Sequence, residues 1–167
     1  MEEEPRMREV ERIIEQLRHG FDGDPWHGPS LWDVLDDVEA AQAAEKPVPE
    51  VHSIWEIVLH LTSWIREITR RLQIGIAQDP LDGDWPPVPG PGADEEAWAA
   101  SVRALAAAHG ELLTVLAAIG EDLLDTQIGD VRDRALGSGV TRYETLHGLA
   151  QHHAYHTGQI VLLKKLV

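Results

Sequence analysis

SIWEIVLHLTSWIREITRRL, residues 53–72, is the stretch that decides the fold. Its isoleucines and leucines at 54, 57, 61, 65, 68 and 72 recur at steps of three or four, which lines one face of an α-helix and cannot line one face of a strand. Ser53 and Glu56 make an S-x-x-E capping box ahead of that stripe, so a long amphipathic helix is predicted from there to about Ile76. Reading outward, Met7, Val10, Ile13, Ile14 and Leu17 predict a first helix from about Pro5 to His19. The Gly/Pro-rich run GFDGDPWHGPS ends it, and Ser30 with Asp33 opens a short helical segment, LWDVLDDVEAAQ.

On the C-terminal side, QDPLDGDWPPVPGPGAD is too rich in proline and glycine for a helix or a central strand and reads as a long loop that could cover something. Asp94 caps a third long helix, EEAWAASVRALAAAHGELLTVLAAI, ending at Gly120. EDLLDTQIGDVRDRALGSGV is irregular and fits either a turn of helix or an extended piece. Thr141 and Glu144 make another capping box and open the last helix. Four long amphipathic helices and one short extra predict an all-α four-helix bundle, a single domain over residues 1–167.

Composition narrows the function. Arg and Lys number 14 against 29 Asp and Glu, a formal charge of -15, which disfavours a nucleic-acid partner because phosphate binding draws on basic residues. No cysteine is present, so any sulfur chemistry needs an external thiol. No run of about 18 apolar residues occurs and the N-terminal stretch is acidic where a signal peptide would be basic, so no membrane partner and a cytoplasmic location are expected.

The last helix contains GLAQHHAYHTGQIVLLKKL, residues 148–166. Leu149, His152, His156, Ile160 and Leu163 share one stripe, which sets two imidazoles one turn apart at core positions. His153, turned about 100° from His152, and His147 point elsewhere and read as bystanders or rim residues. Nine histidines make a bare i,i+4 pair weak evidence, but a buried pair needs partners or a shared ion. Such pairs converge on cations in helix-borne zinc sites. A third ligand should come from a facing helix, and His60 borders the stripe of the 53–72 helix. The competing reading is a rim histidine bonded to Glu56 or Glu67. His52 lies about 80° from His60 and is a poorer candidate. A di-iron bundle needs two Glu-x-x-His motifs, and only Glu144 to His147 matches. HExxH, GxSxG and phosphate-binding glycine loops are absent from the sequence.

HSIWEIVLHLTSW together with HHAYHTGQIVLLKK resembles the DinB/YfiT-like family, over most of the chain from VERIIEQL and GDPWHGPSL onward. The resemblance implies a four-helix bundle, commonly a homodimer, with one divalent metal held by three histidines. One of these comes from the second long helix and two from the H-x-x-x-H ahead of GQ. On this sequence those are His60, His152 and His156, with His153 at an intervening position that is often acidic or apolar in the family. It also implies a metal-dependent enzyme working with a low-molecular-weight thiol of the bacillithiol or mycothiol kind.

Three neutral histidines leave positions open on zinc or nickel, as in catalytic sites. A cation there lowers the pKa of bound water to about 7 or holds a thiol as thiolate. Hydrolysis and thiol transfer are both chemically open on such a site, and together with the resemblance the expected function is a metal-dependent S-transferase that joins a low-molecular-weight thiol to a small electrophilic substrate. A metal-dependent hydrolase is the nearest alternative, and a non-enzymatic metal- or ligand-binding bundle is the alternative of another class. Glu56, Glu67 or His27 are candidates for a fourth ligand or general base, and Trp26, His27, Trp64, Tyr155 and Gln159 for the substrate pocket. Arg66, Arg70 and Arg71 read as solvated helix residues before they read as an anion groove.

Overall fold

A computed structural model describes residues 7–90 and 94–167. Helices α1 (Glu9–Phe21), α4 (Ile54–Ile74), α5 (Glu95–Ala118) and α6 (Arg142–Leu163) are the long ones. They close a ring in which α1 packs on α5 and α6, and α4 packs on the same two from the other side. The result is a four-helix bundle, with two short helices, α2 (Leu31–Leu35) and α3 (Ala40–Ala44), laid against it. Among the described residues no helix is long and apolar enough to cross a membrane.

The caps fall where the side chains dictate. Ser53 Oγ accepts from the Glu56 amide at 3.2 Å while Glu56 Oε2 accepts from the Ser53 amide at 2.8 Å, and Thr141 with Glu144 repeats the device at the start of α6. Asp94 Oδ1 accepts from the Glu96 amide at 2.9 Å to open α5. All six residues of the predicted α4 stripe are buried. The helix stops at Ile74 rather than Ile76 because Gly75, at φ 71°, takes the left-handed capping conformation and donates its amide to Arg71 O at 2.8 Å. The expected start of α1 at Pro5 lies outside the described residues.

The segment 31–44 divides into two short helices where the sequence suggested one. The break is held by the start of α5: Trp98 Nε1 donates to Val38 O at 2.7 Å, and Glu95 Oε1 accepts from the Ala40 amide at 2.8 Å. Backbone groups left by the break are thus satisfied from a distant element. Trp55, fully buried, donates to Ser101 Oγ at 2.9 Å and meets Trp98 edge-on, which ties α4 to α5.

The irregular stretch after α5 folds into a 3-10 turn at Glu121–Leu123 and an antiparallel hairpin, β1 (Gln127–Asp133) and β2 (Ser138–Thr141). Pairing is regular at Ile128 with Val140 and resumes at Asp133 with Ser138, with a bulge between. Gly139, at φ 71°, makes that bulge possible: a Cβ there would lie 2.6 Å from the Arg132 backbone. Arg142, buried at the start of α6, donates from Nε to Leu72 O at 3.1 Å, and the Gly129 amide donates to Gly75 O at 3.0 Å. The hairpin is therefore fastened across the C-terminal end of α4.

Candidate metal centre

His60 points from the middle of α4 toward α6, where His152 and His156 lie one turn apart. The Nε2 atoms of His60 and His152 are 3.0 Å apart, and those of His156 and His152 are also 3.0 Å apart. Outward from this cluster, His60 Nδ1–H donates to the carbonyl oxygen of Asp84 at 2.6 Å and His156 Nδ1–H donates to Gln159 Oε1 at 2.6 Å. Those bonds fix the tautomers, so both Nε2 atoms present lone pairs inward. His152 Nε2 carries at most one hydrogen and can satisfy only one of its two contacts. A shared cation at the point of convergence would resolve the remaining lone-pair opposition, and the outer bonds are of the type that orients imidazole ligands on a metal. The donor set fits a divalent ion such as zinc or nickel.

Electrostatics agree with that arrangement. Burial, then repulsion from His156 and His60, pushes His152 down to about 3. Burial and His60 push His156 to about 4 against the opposing bond from Gln159, and burial lowers His60 against the pull of Asp84. All three imidazoles are neutral at pH 7, the state a metal needs.

The loop between α4 and α5 closes over the cluster. Trp85 stacks on His60 with centroids 3.9 Å apart and on its other face meets His52 at 3.4 Å. Asp84 Oδ1 accepts from Trp64 Nε1 at 2.6 Å, which anchors the same turn of loop. On either side lies a cavity. One, of about 600 Å³, is mostly apolar and lined by Val51, Ile57, Trp85, Tyr155, Leu162 and Leu163, together with Gln159, His152 and His156. The other, of about 520 Å³, is bounded by Trp64, Arg71, Asp84, Glu144 and the hairpin arginines Arg132 and Arg134, and reaches His60 and His152.

His60, His152, His156, Trp64, Tyr155 and Gln159 thus come together. Trp26 and His27 do not: they border a separate recess with His19 and His147, and Trp26 is fully exposed. Glu56 is engaged by its cap, by Lys46 at 2.7 Å and by His52. Glu67 is buried in an ion-pair network with Arg70 and Arg71. His60 bonds to neither glutamate. Arg71 is buried as well, donating to Glu67, Leu136 O and Gln78 O, so it is a structural tie and not a solvated residue. His153 is fully buried beside Phe21 and His109 rather than at a rim. Sequence reasoning missed the Asp84 carbonyl and the hairpin arginines; the loop expected to cover something does so through Trp85, a large aromatic in a proline-rich stretch.

A helical bundle with a buried three-histidine cluster that could hold a metal ion is what the fold and site define. The chain belongs to the DinB superfamily, whose family model matches residues 26–160. No curated protein and no solved structure gives a match.

Proposed function

We propose that this protein is a metal-dependent enzyme that transfers a low-molecular-weight thiol to a small electrophile. The observation that carries this reading is the convergence of three neutral imidazoles, with no carboxylate in the group, at a point flanked by two cavities. A closed structural site would present a fourth protein ligand, whereas three ligands leave room for an exogenous one. A divalent ion held there would supply the positive charge that keeps a thiol ionised at neutral pH.

The chain's own residues supply position and exclusion. Gln159 and the Asp84 carbonyl hold His156 and His60 in the ligating tautomer. Trp85 covers one face of His60 and screens it from water. The apolar cavity suits an uncharged electrophile. In the transfer, a carbon–sulfur bond forms at the electrophilic carbon as the bond to the leaving group breaks with its electron pair, and the thiol proton passes to solvent. Since the chain has no cysteine, the sulfur belongs to a diffusible thiol.

The test is to load the protein with zinc or nickel, supply a small thiol and a chromogenic aryl halide, and follow thioether formation. Metal-dependent turnover that is lost in His152→Ala supports the reading. Metal-dependent ester hydrolysis without thiol would move the assignment to a hydrolase, and bound metal with neither activity would leave a binding protein.

A further inference from the structure

The two cavities beside the histidine cluster differ in chemistry, and His152 borders both. On the hairpin side the lining carries Arg132 and Arg134. Among the described residues neither guanidinium forms an ion pair with a carboxylate, in a chain whose net charge is -15. Arg132 Nη1 is spent on the carbonyls of Asp133 and Ser138 at 2.9 and 3.1 Å, which pins the side chain over the turn. The carboxylates of the same recess already accept hydrogen bonds, and the Glu144 pKa is held down by its bonds from Thr141 and, more weakly, by the charge of Arg132. Asp84 Oδ1 accepts from Trp64, and Glu144 Oε2 accepts from the amide and hydroxyl of Thr141 at 2.8 and 3.0 Å. Arg71 spends its donors on Glu67, Leu136 O and Gln78 O. The unspent donors of this recess are therefore those of two arginines, in a lining that also includes His60 and His152.

The hairpin is held in place for that task. Arg71 Nη1 donates to Leu136 O at 2.9 Å and so ties the turn between the strands to α4, the helix that carries His60. Gly139 lets β2 pass close against the Arg132 backbone. Guanidinium groups lining the same recess as a cation favour a ligand with one soft donor for the metal and a negative body within reach of the arginines.

We propose that the recess between the hairpin and α6 binds the carboxylate-bearing body of the thiol, through Arg132 and Arg134, while the apolar cavity on the opposite side receives the electrophile. This rests on the thiol-transfer reading above and adds to it the charge class of the thiol and a direction of approach for each reactant.

The experiment is calorimetric titration of the zinc-loaded protein with mercaptosuccinate, 2-mercaptoethanol and succinate, in wild type and in the double variant Arg132→Ala/Arg134→Ala. Both arginines are exposed, so the variant is expected to fold, and its zinc content and circular dichroism are checked first. In wild type, mercaptosuccinate should bind more tightly than 2-mercaptoethanol, and the double variant should weaken mercaptosuccinate and succinate by about tenfold or more while leaving 2-mercaptoethanol unchanged. Equal affinity of the variant and wild type for mercaptosuccinate would overturn the recess assignment while leaving thiol binding intact. Succinate weakened by the variant, with no gain from a thiol group, would retain the anion recess and sink the thiol reading. Failure of all three probes to bind would overturn both.

Discussion

The indole of Trp85 lies nearly parallel to the imidazole of His60, with 12° between the planes and 3.9 Å between centroids. Its second face is taken by His52, so one loop residue is clamped between two histidines of the α4 region. The neighbouring Asp84 carbonyl fixes the same His60 ring through Nδ1. Ring orientation at His60 is thus set by the loop as much as by the helix.

Replacing Trp85 with alanine should therefore weaken zinc binding by about tenfold without removing a ligand, the usual scale for groups that orient metal-bound histidines. Competition with a chromogenic chelator gives the affinity. An unchanged value would show that the Asp84 carbonyl and packing within α4 orient His60 without the indole.

Gln159→Leu removes the acceptor for His156 Nδ1–H and frees the ring to exchange tautomers. Zinc affinity should fall by about 10- to 100-fold, and Gln159→Glu should restore or exceed the wild-type value because a carboxylate is the stronger acceptor. The order Glu, Gln, Leu in affinity is the outcome to look for.

His109 stacks on Phe21 at 3.8 Å, is almost fully buried, and neither ring nitrogen finds a protein partner among the described residues. Burial holds its pKa down at about 4 against 6.5 for an ordinary histidine. The unfolded chain binds a proton between those values that the native state refuses. The contribution is thus fully present above pH 6.5 and declines by about 3 kcal/mol as the pH falls to 4. His109→Phe removes two unsatisfied polar atoms and should raise stability at pH 7 by about 1–3 kcal/mol. It should also flatten the acid limb of the urea-denaturation profile, and an unaltered acid limb would assign that limb to other groups.

Glu67 and Arg71 are each 2% exposed and bonded at 2.8 Å. Glu67→Gln leaves a buried guanidinium without its counter-charge and should destabilise the fold by about 3–5 kcal/mol. Metal content should remain at about one ion per chain, since the carboxylate faces arginines and not the histidine cluster. Loss of the ion at a temperature where the variant is still folded would contradict that placement.

Features written locally were legible in the sequence. Capping boxes at Ser53 and Thr141 located the starts of α4 and α6, and the i,i+4 stripe set His152 and His156 on one face. His60 was reachable by the same logic, because its place beside the α4 stripe follows from helical spacing. The hairpin was not, since its strands are short, glycine-bearing and interrupted by a bulge that breaks the alternation by which strands are recognised. The division of 31–44 into two helices depends on Trp98 and Glu95, some sixty residues away, and no local pattern encodes it. His153 misled for a related reason. Its helical angle gave a direction, but only the packing of α1 and α5 makes that direction interior.

His152 and His156 share a helix while His60 does not, and this bears on how a metal ion and folding are linked. A chain whose C-terminal helix has formed before docking already carries a two-imidazole chelate, needing only local structure to assemble. A metal ion bound by this cluster would therefore have affinity for incompletely folded states as well as for the native one, which would reduce the stabilisation that ligand linkage alone gives. Zinc should consequently raise the melting temperature by less than its native-state affinity implies, and in excess it would retain chains whose C-terminal helix has bound the ion before α4 arrives.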